Sequence, residues 1–195
     1  MIVAAGAGSR LGGVAKAMLS TGDTTYLGAI VRTMAKAGVD PSAIVIVVGA
    51  PHGDAVAKEA ARHALRDAIV WNDDPSRGMA SSVAIGFEAL DAVAHRAAAG
   101  IVSAALLWPV DHPWVRASTI EALDDAFTDH EAVIPTFDQR GGHPALIARA
   151  LWPKLAACGD HPDGARGVLR AARVRRVPVD DPAILRDVDL PEDLA

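Results

Sequence analysis

Short, continuous apolar runs alternate with segments of helical periodicity along most of this 195-residue chain. The runs at residues 43–48 and 104–108 consist only of aliphatic and aromatic side chains. An uninterrupted apolar strand is expected where both faces of a parallel sheet are covered, whereas a half-exposed strand alternates polar and apolar residues. Strands that alternate with helices therefore predict an α/β fold with a mostly parallel central sheet covered on both faces.

The remaining elements are predicted from the same periodicities. A helix is predicted over residues 118–127, because Ser118 and Glu121 form a capping-box pattern at its start. No internal repeat, low-complexity segment or Gly/Ser linker interrupts the chain, so we expect a single domain over residues 1–195. Further strands are predicted at residues 2–5, 68–71, 133–134, 145–147 and 175–179, and further helices at 26–37, 53–65, 81–94 and 164–172.

The first predicted strand runs into a glycine-rich loop at residues 6–16. Gly6 and Gly8 allow the backbone to take positive φ and leave no side chain in the way. Successive backbone N–H groups in such a loop can point at one anion. Arg10 and Lys16 add positive charge nearby, so the loop predicts a phosphate-binding site.

Two better-known glycine loops do not fit this segment. A dinucleotide fingerprint needs a third glycine where Leu11 stands. A P-loop needs lysine and then serine or threonine directly after its last glycine. Here Gly13 is followed by Val14, and Lys16 is followed by alanine. Both patterns are therefore excluded.

Ligands of open parallel sheets bind beyond the carboxyl ends of the strands, so the loops that follow strands carry the next candidates. Gly78 has no side chain, so a ligand can approach the backbone closely there. Ser81 and Ser82 either cap the next helix or line a base or ribose pocket. Asp111 follows a buried strand and either ends a turn or holds Mg²⁺. Asp189 either caps a terminal helix or supplies a second carboxylate to the same metal.

Composition limits the partners and the compartment. The net charge of −5 argues against a general nucleic-acid binder, and no apolar run approaches the length of a membrane span. Cys158 is the single cysteine, so an internal disulfide is excluded. Because no secretory signal pattern is visible, we expect a cytoplasmic protein. We also expect that it binds neither nucleic acid nor membrane, and that it is a monomer or a weak homodimer.

Six short segments match, in order, the motifs of one family. The chain resembles the MobA-like nucleotidyltransferases, and most of all their molybdenum-cofactor cytidylyltransferase branch. The similar segments are residues 3–16, Asn72 with Gly78-Met79-Ala80-Ser81-Ser82, Asp111-His112-Pro113, Gly142-His143-Pro144, residues 159–166 and residues 187–194.

The resemblance implies a Rossmann-like three-layer α/β sandwich of the nucleotide-diphospho-sugar transferase type. It implies that Arg10, Lys16 and Asp111 carry the catalysis, and that Asp111 and Asp189 bind Mg²⁺. The Ala-Ala-Gly sequence at residues 4–6 favours CTP, by the same analogy. The implied nucleotide-binding residues are Ala5, Gly6, Gly8, Arg10, Lys16, Gly78, Ser81 and Ser82.

The expected function is transfer of CMP from CTP to a phosphorylated acceptor, a molybdopterin-type cofactor, with release of pyrophosphate. One alternative uses another NTP and a sugar- or alcohol-phosphate, and another is a nucleotide-binding protein without turnover. His143 and Arg166 are the acceptor candidates, with a structural histidine and a surface salt bridge as the competing interpretations. His112 replaces the family's glutamine and Leu190 its threonine, so the chain departs from the family near the acceptor.

Overall fold

The computed structural model describes residues 1–96 and 102–188. Within them, eight strands form one mixed sheet in the order β3-β2-β1-β4-β7-β5, with β8 on the far side of β5 and β6 paired with the end of β5. The strands are β1 Ile2–Val3, β2 Ile46–Gly49, β3 Ile69–Asn72, β4 Ala104–Pro109, β5 Ala132–Phe137, β6 Arg140–Gly141, β7 Ala145–Ala148 and β8 Val174–Pro178.

Helices flank this sheet. Gly38, with a φ of 78°, follows the first of them in the left-handed region, as the predicted stop signal requires. The described helices are α1 Tyr26–Lys36, α2 Gly53–Arg62, α3 Met79–Arg96, α4 Ala117–Asp125, α5 Trp152–Ala156 and α6 Gly164–Arg170.

The sheet is mostly parallel, as predicted. Strands β3, β2, β1 and β4 are mutually parallel neighbours, and β5 is parallel to β8. Strand β7 runs antiparallel to both of its neighbours, β4 and β5, and β6 forms an antiparallel hairpin with β5. Strand β7 thus divides the sheet into a four-stranded parallel half and a mixed half.

Both faces of the sheet are buried, which explains the continuous apolar runs. On β2, Ile46 and Val48 pack into a cluster that includes Leu27 of α1, while Val47 packs on the opposite face with Phe87 of α3. All five side chains are fully buried. Because successive strand residues point to opposite faces, a strand between two helical layers needs an apolar residue at every position.

The predicted capping box at Ser118 is wrong. Helix α4 begins one residue earlier, and no residue at its start supplies a local side-chain cap. Instead the buried carboxylate of Asp181 accepts the backbone N–H of Arg116 at 2.9 Å and the hydroxyl of Thr119 at 2.7 Å. A carboxylate brought from the far end of the chain therefore satisfies the donors at the start of this helix.

Candidate active site

A cleft of about 410 Å³ opens at the edge of the sheet where β3, β1 and β4 end. Ligand sites of open α/β sheets are expected at this edge. The cleft brings together most of the residues predicted from sequence to bind a nucleotide. Those that line it are Ala5, Gly6, Gly8, Lys16, Gly78, Ser82 and Asp111.

The glycine-rich loop has a fixed shape that depends on Gly8. This residue has a φ of 61°, and a Cβ atom here would overlap the backbone carbonyl oxygen of Val14. The Gly8 carbonyl accepts the N–H groups of Leu11 and Gly13, both at 2.9 Å. The loop folds back on itself at a point where only glycine fits, and Gly6 and Ala7 face the cleft.

Lys16 and Asp111 meet across the cleft. The Lys16 ammonium donates to Asp111 Oδ2 at 3.0 Å, with the two side chains 18% and 15% exposed. The other carboxylate oxygen, Asp111 Oδ1, is buried and makes no hydrogen bond with the described residues. A buried carboxylate oxygen without a donor is suited to a hard cation, so Asp111 fits a role as a ligand of a divalent metal ion.

The chain around Asp111 is held by a buried tryptophan. Trp108 is completely buried, and its indole N–H donates to the carbonyl oxygen of His112 at 3.0 Å. The N–H of Val110 donates to the carbonyl of Val3 in β1 at 3.1 Å. Asp111 therefore lies between two residues whose backbone is held by hydrogen bonds, Val110 and His112.

A polar network at the end of β3 holds the two serines. Asn72 is buried, and its Nδ2 donates to the hydroxyl oxygens of Ser81 and Ser82, each at 2.9 Å. Ser81 in turn donates to the carbonyl of Gly78 at 2.8 Å. Ser82 lines the cleft, whereas Ser81 lies outside its lining and fastens the loop that precedes α3.

Two histidines come together beside Asp111 because β7 runs antiparallel to β4. Leu107 pairs with Ala145, the first residue of β7, so His143, two residues before β7, reaches the edge where β4 ends. The rings of His112 and His143 lie 5.0 Å apart between centroids. The structure thus brings His143, an acceptor candidate from the sequence, to the side of the predicted catalytic carboxylate.

The surroundings disfavour the protonated form of both imidazoles, because they lower both pKa values. Burial lowers the pKa of His143 to about 4, and repulsion from His112 and Arg166 acts in the same direction, against the attraction of Asp111. Burial also lowers the pKa of His112, against the attraction of Asp111 and Asp187. Arg166, on α6, is therefore close enough to His143 to act on it electrostatically.

The last described residues pack against the glycine-rich loop. Val188 is fully buried in a cluster with Leu11 and Tyr26. The Arg186 guanidinium lies 3.9 Å from the ring centroid of Trp114, which contacts Tyr26 edge-on. Asp189 comes next in the sequence, but this residue and the side chain of Arg10 lie outside the described part of the chain.

Within residues 1–96 and 102–188, no group of three or more His, Cys, Asp or Glu residues is arranged to hold a metal ion. Sequence reasoning gave no individual role to Asn72 or Trp108. The signal for Asn72 is a buried amide at the last position of an otherwise apolar strand. For Trp108 no local signal exists, because the carbonyl it binds becomes its neighbour only after the turn has formed.

The comparisons with known proteins identify the family. Residues 1–177 match the MobA-like NTP transferase domain. The chain belongs to this family. MobA-like transferases use a nucleoside triphosphate and an acceptor substrate, which agrees with a glycine-rich loop that faces a cleft. The resemblance inferred from the motifs is thereby confirmed.

The relatives of this MobA-like chain have varied names. Nicotine blue oxidoreductase from Paenarthrobacter nicotinovorans is 33% identical over 180 residues, which cover 87% of this chain and 80% of that protein. Rv0371c from Mycobacterium tuberculosis H37Rv superposes with a TM-score of 0.76 at 26% identity, over 98% and 93% of the two chains. Rv0371c is also known as a complex with manganese (TM-score 0.64, 24% identity, 98% and 92% covered).

A nucleotidyl transferase from Methanothermobacter thermautotroptrophicus, Mth528, shares the fold with a TM-score of 0.73 at 22% identity, over 98% and 91% of the chains. The Rossmann-like α/β fold expected for a MobA-like protein is thus confirmed. Every helix among the described residues is too short or too polar to span a bilayer.

Proposed function

We propose that this chain transfers CMP from CTP to a phosphorylated acceptor, a molybdopterin-type cofactor, and releases pyrophosphate. The observation that carries the proposal is the contact of Lys16 with Asp111 beside the glycine-rich loop. A cation and a carboxylate in a cleft lined by a glycine-rich loop provide the charge complementarity that phosphoryl transfer needs.

The order of the strands supports an orientation for the nucleotide. The loops after β3 and β4 are separated by three strand spacings of about 4.8 Å each, or about 14 Å in all. The phosphates would lie near the glycine-rich loop and Lys16. The base and sugar would lie near Gly78 and Ser82, at the other end of the cleft.

A divalent metal, Mg²⁺, would be held by Asp111 and Asp189. The buried, unpartnered Oδ1 of Asp111 supports this assignment from the structure, and Asp189 is assigned by resemblance. When bound, the ion would neutralise negative charge on the phosphates.

An oxygen of the acceptor phosphate attacks the α-phosphorus of CTP in line with the departing pyrophosphate. The bond from the acceptor oxygen to the α-phosphorus forms as the bond to the bridging oxygen breaks. The attacking oxygen is already anionic, so no strong general base is required. Lys16 and Arg10 offset the charge that builds on pyrophosphate, and the rigid loop around Gly8 orients the triphosphate.

The identities proposed for the nucleotide and for the acceptor are based on the sequence motifs. Ala4, Ala5 and Gly6 match the sequence associated with cytidine enzymes. The acceptor would lie near His143, which precedes β7 and sits beside Asp111, and near Arg166, which acts electrostatically on His143. His112, where the family has glutamine, forms part of this wall.

The first test is a thermal-shift panel of CTP, GTP, ATP and UTP with Mg²⁺. CTP should stabilise the chain most, because binding to the native state raises its stability by mass action. Pyrophosphate release from CTP with a molybdopterin-type acceptor should follow. A clear preference for GTP would contradict the cytidine assignment. Nucleotide binding without pyrophosphate release, whichever acceptor is added, would contradict the proposed transferase activity.

The relationship to nicotine blue oxidoreductase supports a second candidate, a redox enzyme. Such an enzyme would hold a hydride donor in the same cleft without the dinucleotide fingerprint, because Leu11 stands where its third glycine is needed. Stabilisation by NADH or NADPH, with oxidation of the nicotinamide by a dye substrate and no stabilisation by the four NTPs, would favour this second function.

A further inference from the structure

The orientation of the Asn72 amide is determined by its neighbours. The backbone N–H of Asp74 points at Asn72 at 3.1 Å and can only donate, so the atom facing it must be the amide oxygen. The amide nitrogen therefore faces Ser81 and Ser82. An amide nitrogen is a donor only, so both serine hydroxyls must accept from Asn72 through their oxygen atoms.

The two serine protons then have different destinations. Ser81 donates its proton to the carbonyl of Gly78, at 2.8 Å. Ser82 has no acceptor for its proton among the described residues, and its side chain lines the cleft next to Gly78 and Met79. Because its oxygen already accepts from Asn72, the Ser82 hydroxyl offers the cleft a donor.

We propose that Asn72 is a positioning residue that makes the Ser82 hydroxyl a hydrogen-bond donor directed at the nucleoside, so that this end of the cleft selects a hydrogen-bond acceptor on the base or sugar. This inference rests on the proposed function, since it requires a nucleotide in the cleft. Lys16 contacts Asp111 at the end of β4, three strand spacings from β3, so the proposed site for the phosphates lies away from this donor.

Exchange of Asn72 for aspartate tests the direction of the hydrogen bonds with almost no change of shape. A carboxylate in place of the amide accepts where the amide nitrogen donates, and it therefore draws the Ser82 proton away from the cleft. Ser82→Ala removes the same donor without adding a charge. Ser81→Ala is the matched comparison, because the Ser81 proton is already bound to Gly78.

Dissociation constants for CTP and for inorganic tripolyphosphate, each with Mg²⁺, are measured by calorimetry on the full chain. Asn72→Asp and Ser82→Ala should weaken CTP binding about 10-fold, as expected for one lost hydrogen bond, and leave tripolyphosphate within about twofold. Ser81→Ala should weaken CTP binding less than Ser82→Ala does. Ribose 5-triphosphate serves as a third ligand: if it loses affinity equally, the accepting atom lies on the sugar, and otherwise it lies on the base.

The inference is overturned if Ser82→Ala binds CTP as tightly as the wild type does. It is also overturned if Asn72→Asp and Ser82→Ala weaken the binding of CTP and of tripolyphosphate equally. Equal weakening would indicate general damage to the cleft or repulsion by the new charge. The proposed function fails separately, if wild-type protein binds CTP and tripolyphosphate but releases no pyrophosphate. If no nucleotide binds the wild type, both are refuted.

Discussion

The ammonium of Lys16 donates to the carboxylate of Asp111 at 3.0 Å and so connects the end of the glycine-rich loop to the end of β4. Both side chains are less than one-fifth exposed. Charges in such a place are only partly hydrated, and the contact brings the two opposite charges together. The contact keeps a cation and a carboxylate in the cleft before any substrate arrives.

Asp111→Asn should lower pyrophosphate release at least about 100-fold, because it removes the negative charge that both Lys16 and a metal require. The amide keeps the shape of the side chain, so the melting temperature should stay within a few degrees. Asp125→Asn, on the exposed end of α4, is the matched control and should be fully active. Normal turnover in Asp111→Asn would refute the assignment of this residue.

Gly8→Ala should abolish the thermal stabilisation of the protein by CTP. The new Cβ would meet the Val14 carbonyl at a positive φ, so the loop could not keep its shape. Gly12→Ala is the control, since Gly12 also has a positive φ, of 71°, but open space at its Cβ position. That variant should lose about 1–2 kcal/mol of stability and still respond to CTP. Equal responses in the two variants would show that steric overlap is unimportant.

Asp181→Ala should destabilise the protein by about 3 kcal/mol in urea unfolding. The substitution leaves the Arg116 N–H and the Thr119 hydroxyl without their buried acceptor. Thr119→Val removes only one of these hydrogen bonds and should cost about 1 kcal/mol. If both variants unfold at the wild-type urea concentration, Asp181 does not cap α4.

His143 should make the stability depend on pH on the acid side of neutrality. Its pKa falls from an ordinary 6.5 to about 4 in the folded protein, so the unfolded chain binds a proton that the native state does not. Stability is therefore lost as the pH falls from about 6.5 towards 4. Urea unfolding at pH 7 and pH 5 should show a larger loss for the wild type than for His143→Gln. Identical losses would mean that His143 titrates normally.

The local sequence was sufficient to predict an element or a site residue where the interactions that determine it are local or repeat along the element. The apolar run of β2 predicted a strand because Val47 and its neighbours bury alternate faces. Gly8 and Asp111 could be assigned to one edge because parallel strands end together. The cap of α4 could not be predicted, since Asp181 is 62 residues from Thr119. The contact of His112 with His143 depends on the direction of β7, which no short segment specifies.

On the proposed function, strand β7 separates the recognition of the nucleotide from the recognition of the acceptor. The parallel half of the sheet carries the loops proposed for the nucleotide, all within residues 1–111, while β7, β5, β8 and the β5–β6 hairpin form the other half. On the proposed function, a change of acceptor can evolve in residues 131–178, whereas Val188, which packs with Leu11, belongs with the glycine-rich loop. Chimeras that exchange only residues 131–178 should exchange acceptor ranges between relatives, so one nucleotide site can serve enzymes with unrelated second substrates.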